Sequence, residues 1–318
     1  MYPIFMVNTK GTNKVLIRAN SRLHLGFLNL NSPTQYSYGG LGVSIDKYPT
    51  ISSISKSSKF ISNLSKKLNN EIMSYLKDKK LSTKIKIECI ESPTKHIGLG
   101  SGTQLKLSIE ELVSKYYGIT QKTNIFNRSY RSGIGCNSYQ RGGFIVDCPK
   151  KDLNTSHMIF KHSFPAAWKI ILLFDRKKTG LHGKIEKSFF SPSKSNNLRK
   201  QLSDIAINEI IPAILNKDFD VFAKGLTKFQ KLNYLFYSSV QKSMYLSLDI
   251  SRVIKHISKL FNVGVGQSSW GPTSYIFVDY KRDLNDILPV LDHTISMYNN
   301  LSYDVVSVKN NGRKLTFI

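Results

Sequence analysis

Residues 83–116 change their periodicity in mid-course, and that change limits the folds open to the chain. Thr83, Ile85, Ile87 and Cys89 alternate with Lys84, Lys86 and Glu88, which predicts a half-buried strand. From Leu105 onward Leu105, Ile109, Leu112 and Tyr116 recur at helical spacing, with Lys106, Glu110, Glu111 and Lys115 elsewhere on the surface. Glu111 stands four residues before Lys115, the favourable order for a helix ion pair. Between strand and helix lies His96-Ile97-Gly98-Leu99-Gly100-Ser101-Gly102-Thr103-Gln104. Glycines let a backbone approach an anion closely. The first amides of the following helix face the loop unpaired, at the positive end of the helix dipole. Phosphate or pyrophosphate is the ligand this arrangement predicts. The stretch lacks the Gly-Lys-Ser/Thr of a P-loop and the full Rossmann fingerprint, so alone it also fits a plain connecting turn.

A chain of 318 residues allows roughly two domains, and 41% hydrophobic residues are enough to build their cores. Forty-six Lys and Arg against 21 Asp and Glu give a net charge of +25. Such a field attracts phosphorylated metabolites and nucleic acid alike. The lysines are scattered among abundant Ile, Asn, Ser and Tyr, and no run interleaves basic and aromatic residues on one predicted face. The charge therefore reads as compositional, and no nucleic-acid partner is expected. Cys89, Cys136 and Cys148 form neither a paired framework nor a CxxC motif, as expected for reduced thiols in the cytoplasm. No apolar run approaches membrane length and no signal-peptide pattern opens the chain, so no membrane association is expected.

Taken in order, Lys14 to Ala19 reads as a strand that Ser21 to Phe27 continues, placing Arg22 and His24 on one face. Tyr36 to Asp46 carries glycines suited to a bulge, and Thr50 to Ser58 reads as a strand. Ile61 to Leu76 and Thr123 to Tyr130 read as helices. Arg131-Ser132-Gly133-Ile134-Gly135 and Gly142-Gly143-Phe144-Ile145-Val146-Asp147 form a second glycine-punctuated region, with Arg131 suited to a bidentate phosphate contact. Lys150 to Asn154 marks a boundary, Trp168 to Phe174 a strand, and Thr179 to Glu186 a loop. Helices are expected over 197–215, where Pro212 predicts a kink or split, and over 219–237, 246–261 and 283–298. A third glycine-rich loop, Gly264 to Thr273, leads into a strand over Ser274 to Asp279, and a strand pair over 302–308 and 314–318 closes the chain.

Three glycine loops, each between regular elements, carry a resemblance. Ser21 to Gly26 (SRLHLG), Tyr38 to Asp46 (YGGLGVSID), His96 to Gln104 (HIGLGSGTQ), Arg131 to Gly135 (RSGIG), Gly142 to Asp147 (GGFIVD) and Gly266 to Thr273 (GQSSWGPT) run in the order found in the GHMP kinase superfamily. Within it the chain resembles the branch of β-ribofuranosylaminobenzene 5′-phosphate synthases. The resemblance implies an α+β fold with a ribosomal-S5-type N-terminal domain, taken as 1–155, and a ferredoxin-like C-terminal domain, taken as 156–318. The ligand cleft is expected between them. Where many GHMP kinases carry an aspartate that serves phosphoryl transfer, this chain has Gly135. Loss of a carboxylate is severe for chemistry that rests on positioning and electrostatics, so an ATP-dependent small-molecule kinase is the alternative rather than the first reading.

The reaction implied joins 5-phosphoribosyl 1-diphosphate to 4-hydroxybenzoate or 4-aminobenzoate with loss of pyrophosphate and carbon dioxide, in methanopterin biosynthesis. On that basis Gly98, Gly100, Ser101, Gly102 and Thr103 are assigned to the pyrophosphate, with Mg²⁺ bridging its oxygens. Arg131, Ser132 and Gly133 are candidates for a further phosphate, with Arg22 and His24 in support. Gln267, Ser268, Ser269 and Trp270 form a candidate lid or ring-stacking segment, with a buried structural Trp as the alternative. Asp46, Asp147 and Glu186 are the candidate ligands of Mg²⁺ or of a substrate hydroxyl, His182 is either a phosphate contact or simply exposed, and a homodimer is left open.

Overall fold

The computed structural model of the chain describes residues 14–29, 38–120, 123, 125–126, 133–148, 157–180, 196–236, 238 and 241–318. The N-terminal part runs β1 (Lys14–Asn29), β2 (Tyr38–Lys56), β3 (Ile61–Ser62), α1 (Lys66–Asp78), β4 (Ile85–Glu91), α2 (Ser101–Tyr117), α3 (Ile134–Arg141), β5 (Phe144–Asp147) and β6 (Met158–His162). After it come β7 (Trp168–Asp175), α4 (Asn196–Ile205), a π turn (Ala206–Ile210), α5 (Ile211–Asn216), α6 (Phe219–Tyr234) and α7 (Leu248–Leu260). The chain ends with β8 (Gly264–Gln267), β9 (Ser274–Asp279), a second π turn (Tyr280–Leu284), α8 (Asn285–Ser296), β10 (Leu301–Ser307) and β11 (Lys314–Phe317).

Among the described residues, seven strands make the first sheet in the order β11-β1-β2-β4-β3, with β5 also on β2 and β6 on β5. The 19 residues of β2 span two neighbours along one edge, β5 at Gly40–Val43 and β4 at Ile51–Lys56. The second sheet has the order β10-β7-β9-β8, all antiparallel. Numbered within that sheet the order is 4-1-3-2 with helices after the first and third strands, which is the ferredoxin-like arrangement.

Burial follows the side-chain alternation. On β7, Ile170 and Leu172 face a core shared with Phe222, Leu226, Phe229 and the first sheet's Leu23, Leu25 and Val43. Ile171 and Leu173 face the opposite core, against Ile250, Val253 and Ile257 of α7 and Ile287 and Leu291 of α8. A third core lies under the first sheet, where Ile72 and Leu76 of α1 and Ile109 and Leu112 of α2 cover Ile17, Ile54 and Ile87. Sharing the first of these cores between both sheets fixes how the two halves meet.

Several expectations need correction. Ile61 and Ser62 do not begin a helix; they pair in parallel with Lys86 and Ile87 of β4, and the helix starts at Lys66. Ile125 and Phe126 lie in a bend, where Glu110 accepts from the Phe126 amide at 3.2 Å; most of the expected 123–130 helix lies outside the described residues. The helix around Pro212 is split, as its sequence predicted, and the preceding π turn accommodates a proline that has no N–H to donate. The last two strands do not pair with each other. β10 joins β7, whereas β11 returns to β1 through Val15–Arg18. Sheets and sequence therefore divide differently: β6 and β11 lie beyond residue 155 yet complete the first sheet.

The return of β11 is locked by Arg313. Its amide donates to Tyr139 O at 2.7 Å, and its guanidinium grips Glu111 of α2 at 2.8 and 2.5 Å. The Tyr139 hydroxyl adds a third bond to the carboxylate at 2.6 Å. Arg313, not Lys115, is thus the direct partner of Glu111. Burial pushes the Glu111 carboxyl up, but the Arg313 and Tyr139 bonds outweigh it and hold the group below its ordinary value. A depressed carboxyl stabilises the fold above the unfolded value of 4.5, and that contribution is lost as pH falls through the folded value. Glu111→Gln should cost about 1–2 kcal/mol at pH 7. Urea unfolding should show the gap from the parent protein closing as the pH is taken below 4.5.

Candidate functional site

Gly100 opens α2 from the left-handed region at φ +80°, where glycine carries no steric penalty. The Thr103 and Gln104 amides turn back to Gly100 O at 3.0 and 3.2 Å. The Ser101 and Gly102 amides have no partner among the described residues, and no acidic side chain sits in the first turn to neutralise the helix dipole. A Cβ built on Gly102 meets nothing within 4 Å among the described residues. This helix terminus is therefore open to an anion from the Gly102 side.

The loop is pinned on its other side by the Ser21–Gly26 motif and by the third glycine-rich loop. Arg22 on β1 donates its amide to Leu99 O at 3.1 Å and its Nη1 to Gly98 O at 3.0 Å. Its guanidinium lies directly beneath Gly100, 3.0 Å from where a Cβ would stand. The Ser268 hydroxyl donates to Gly98 O at 2.7 Å and accepts from the His24 amide at 3.0 Å. Thr273 N reaches Ile97 O at 3.2 Å, Ser269 N reaches His24 O at 3.3 Å, and Gly180 N reaches His96 O at 2.9 Å. Motifs more than 200 residues apart thus meet around one loop, as with the His24–Ser268 bond across 244 residues.

Two side chains that sequence reasoning missed complete this junction. Gln230 and Asn233 of α6 meet the outer edge of β1 beyond the reach of β11. The Gln230 amide donates to Leu25 O at 2.5 Å, and its oxygen accepts from Gln267 N at 3.0 Å. Asn233 accepts from Phe27 N at 2.6 Å and donates to Phe27 O at 3.1 Å, occupying both polar groups as a neighbouring strand would. The signal lay in α6, where these two carboxamides fall on the face carrying Phe222, Leu226 and Phe229.

His24 is buried and uncharged. Burial first, and the neighbouring Arg22 second, bring its pKa down to about 3. Its Nδ1 accepts from Gly26 N at 3.2 Å, so Nε2 carries the proton, and its ring packs on Phe27 with centroids 4.4 Å apart. Arg22 therefore brings fixed positive charge to the loop, while His24 joins the first and third motifs without adding charge. The expected basic pair is in fact one cation and one neutral ring.

The second loop is already capped. Asp147, buried at the end of β5, accepts from Gly133 N at 2.5 Å at the start of α3. An internal carboxylate thus stands where Gly133 was expected to meet a phosphate. Gly135 packs against α2: a Cβ there would lie 2.9 Å from Thr103 Cγ2, and Gln104 Nε2 donates to Gly135 O at 3.0 Å. Placing an aspartate at this position requires the Thr103 methyl to move. Arg131, Ser132, His182 and Glu186 lie outside the described residues.

Of the expected metal ligands, Asp46 and Asp147 do not converge. Asp147 stands opposite Gly40 on β2, and Asp46 is six residues further along that strand, roughly 20 Å away at the rise of a β-strand. Asp46 is exposed and accepts from Ser307 N at 2.9 Å. Among the described residues no cluster of three or more His, Cys, Asp or Glu is arranged to hold an ion. Trp270 is buried in the shared core, as the structural alternative expected. The Gln267 carboxamide serves the loop itself, accepting from Leu246 N at 2.6 Å and donating to Gln241 and Ser269. The cysteines are free thiols of intermediate burial. No helix among the described residues is long and apolar enough to cross a membrane.

The fold is that of the GHMP kinases. Homoserine kinase from Cytophaga hutchinsonii superimposes with a TM-score of 0.66 at 14% identity, covering 99% of this chain and 100% of that one. Mevalonate-3-kinase from Thermoplasma acidophilum does so with 0.67 at 10%, covering 96% and 99%. In sequence the chain is similar to a particular branch. It is 28% identical to β-ribofuranosylphenol 5′-phosphate synthase of Methanocaldococcus jannaschii over 86% of this chain and 93% of that protein. The same identity relates it to the synthase of Methanothermobacter thermautotrophicus over 84% and 90%. The resemblance drawn from the motifs is thereby borne out. No family model matches the chain.

The state of His24 gives a test. The unfolded chain takes up its proton near 6.5 and the folded chain only near 3, so stability falls as pH drops below 6.5. Between pH 7.5 and 5 the imidazole should account for a loss of about 2 kcal/mol. His24→Asn keeps an acceptor for the Gly26 amide without the titration. Urea unfolding at both pH values should show the variant losing less stability than the parent protein by about that amount.

Proposed function

We propose that the chain joins 5-phosphoribosyl 1-diphosphate to a para-hydroxy- or para-aminobenzoate, releasing pyrophosphate and carbon dioxide and leaving a C-riboside 5′-phosphate. The observation that carries this reading is the open α2 terminus over the Arg22 guanidinium, set beside a residue 135 that offers no carboxylate. That pairing suits holding a diphosphate better than transferring a phosphoryl group. The similarity to the archaeal synthases over 84–86% of the chain supports it. The reading carries with it the expectation, implied by the motif resemblance, that the product feeds methanopterin biosynthesis in the cytoplasm.

In this reading the bond from C1 of the ribose to the diphosphate oxygen breaks, and its electron pair leaves with pyrophosphate. The para hydroxyl or amino group pushes electrons to the ring carbon bearing the carboxylate, and that carbon bonds to C1. The carbon–carboxylate bond then breaks, its electrons restore the aromatic ring, and carbon dioxide departs. No further oxidant, reductant or proton is consumed. The Ser101 and Gly102 amides and the Arg22 charge stabilise the leaving diphosphate. Mg²⁺ arrives as the counter-ion of the diphosphate, part of the substrate.

The test is pyrophosphate release from 5-phosphoribosyl 1-diphosphate with Mg²⁺, with and without 4-hydroxybenzoate. Release that depends on the arene and is matched by carbon dioxide is expected; ATP-dependent phosphorylation of small alcohols without it would overturn the reading. Gly102→Val, which places a side chain in the open space before the helix, should lower kcat/KM for the diphosphate substrate by about 100-fold or more. Its Tm should stay within about 3 °C of the parent protein.

A further inference from the structure

The two amides assigned to the anion, those of Ser101 and Gly102, sit where α2 is softest, between the left-handed Gly100 and the second turn. The bonds from Arg22 and Ser268 hold the carbonyls of Gly98 and Leu99 and stop there, ahead of both amides. Gln104 ties the far side of the turn. Its amide closes on Gly100 O at 3.2 Å. Its side chain is fully buried and donates from Nε2 to Gly135 O of α3 at 3.0 Å. Beside this bond the Thr103 methyl stands 2.9 Å from where a Cβ on residue 135 would lie, so the first turns of the two helices are in contact.

This bond is not what holds the helices together. Seven residues further along α2, Glu111 accepts from the Tyr139 hydroxyl of α3 at 2.6 Å and from Arg313 at 2.8 Å, a charge-assisted contact that joins the same pair of helices. Gly135 O does not require a second donor either, because it lies in the first turn of α3 and serves that helix's own ladder. The carboxamide also carries a penalty. Gln104 Oε1 is buried and has no partner among the described residues. A methionine has the same reach and would fill the space without an orphaned acceptor. A buried donor that costs desolvation, two residues after Gly102, has the pattern of a group retained for alignment at the expense of stability.

We infer that Gln104 is a positioning residue for the diphosphate, acting through the α2 first turn, which it holds against α3 so that the Ser101 and Gly102 amides keep their aim. The inference rests on the proposed reaction and adds the group that aligns its leaving-group site. Those amides meet the charge that grows as pyrophosphate departs, so a displaced turn is felt in kcat more than in KM. Gln104→Met removes the donor and keeps the bulk, and Glu111→Gln weakens the rear contact as a control. Both are compared with the parent protein in the Kd of inorganic pyrophosphate with Mg²⁺ by titration calorimetry, in arene-dependent pyrophosphate release, and in urea unfolding. In Gln104→Met the pyrophosphate Kd should rise about tenfold and kcat should fall about tenfold or more, with the KM for 5-phosphoribosyl 1-diphosphate within about threefold. Its urea midpoint should be at or above that of the parent protein. Glu111→Gln should show the reverse, a lowered midpoint with a pyrophosphate Kd within about twofold. A Kd within about twofold in Gln104→Met overturns the inference. So does a midpoint lowered as far as in Glu111→Gln, which would make Gln104 an ordinary stabilising contact. A parent protein that binds pyrophosphate without arene-dependent release loses the reaction alone, and the Kd comparison still decides on Gln104. A parent protein that binds no pyrophosphate removes the inference together with its anion site.

Discussion

Everything around the site depends on how the outer edge of β1 is satisfied. A strand edge leaves N–H and C=O groups that must be paired once buried. β11 covers this edge only along Val15–Arg18. Past that point the edge is finished in turn by Leu99 O, by Ser268 and Ser269, and by the Gln230 and Asn233 carboxamides. Each of these groups comes from a different part of the chain. Completing the edge therefore also brings the phosphate loop, the third glycine loop and α6 to one line. The site is assembled by the need to pair that backbone, and the shared core behind it holds the result in place.

Electrostatics at the junction are divided between the two helix termini. α3 is capped from within by Asp147, whereas α2 has no acidic group in its first turn and lies over Arg22. An incoming anion thus meets one available terminus rather than two. His24 stays neutral because burial disfavours its charged form and the neighbouring Arg22 charge disfavours it further. Positive charge at the loop is consequently set by an arginine that does not titrate in the physiological range, and it is insensitive to pH there.

The strand–loop–helix around Gly98 to Thr103 was legible in the sequence because periodicity and glycine spacing are local signals. The meeting of the first, central and third motifs was legible only through their family resemblance. What stayed hidden depended on partners distant in sequence. Ile61 has helical spacing with Leu64 and Leu68, but β4 offers it and Ser62 an edge to pair with. The segments over 302–308 and 314–318 look like a hairpin, yet each finds a better-matched neighbour in a different sheet. Asp46 and Asp147 look alike as acidic residues near strand ends, and only the register of β2 against β5 shows how far apart they stand. Gln230 and Asn233 were passed over because their place on the apolar face of a helix signals burial but not that the partner is a strand edge.

The Asn233 device appears a second time at the other side of the first sheet, where Asn63 accepts from Cys89 N and donates to Cys89 O, both at 2.9 Å. In each case one planar amide takes the place of a neighbouring strand. A ladder between strands is fixed by register and changes all at once, because a slip of one residue turns every side chain to the other face. A border held by single amides has no register to preserve. Such a border can change one residue at a time while both sheets keep their pairing.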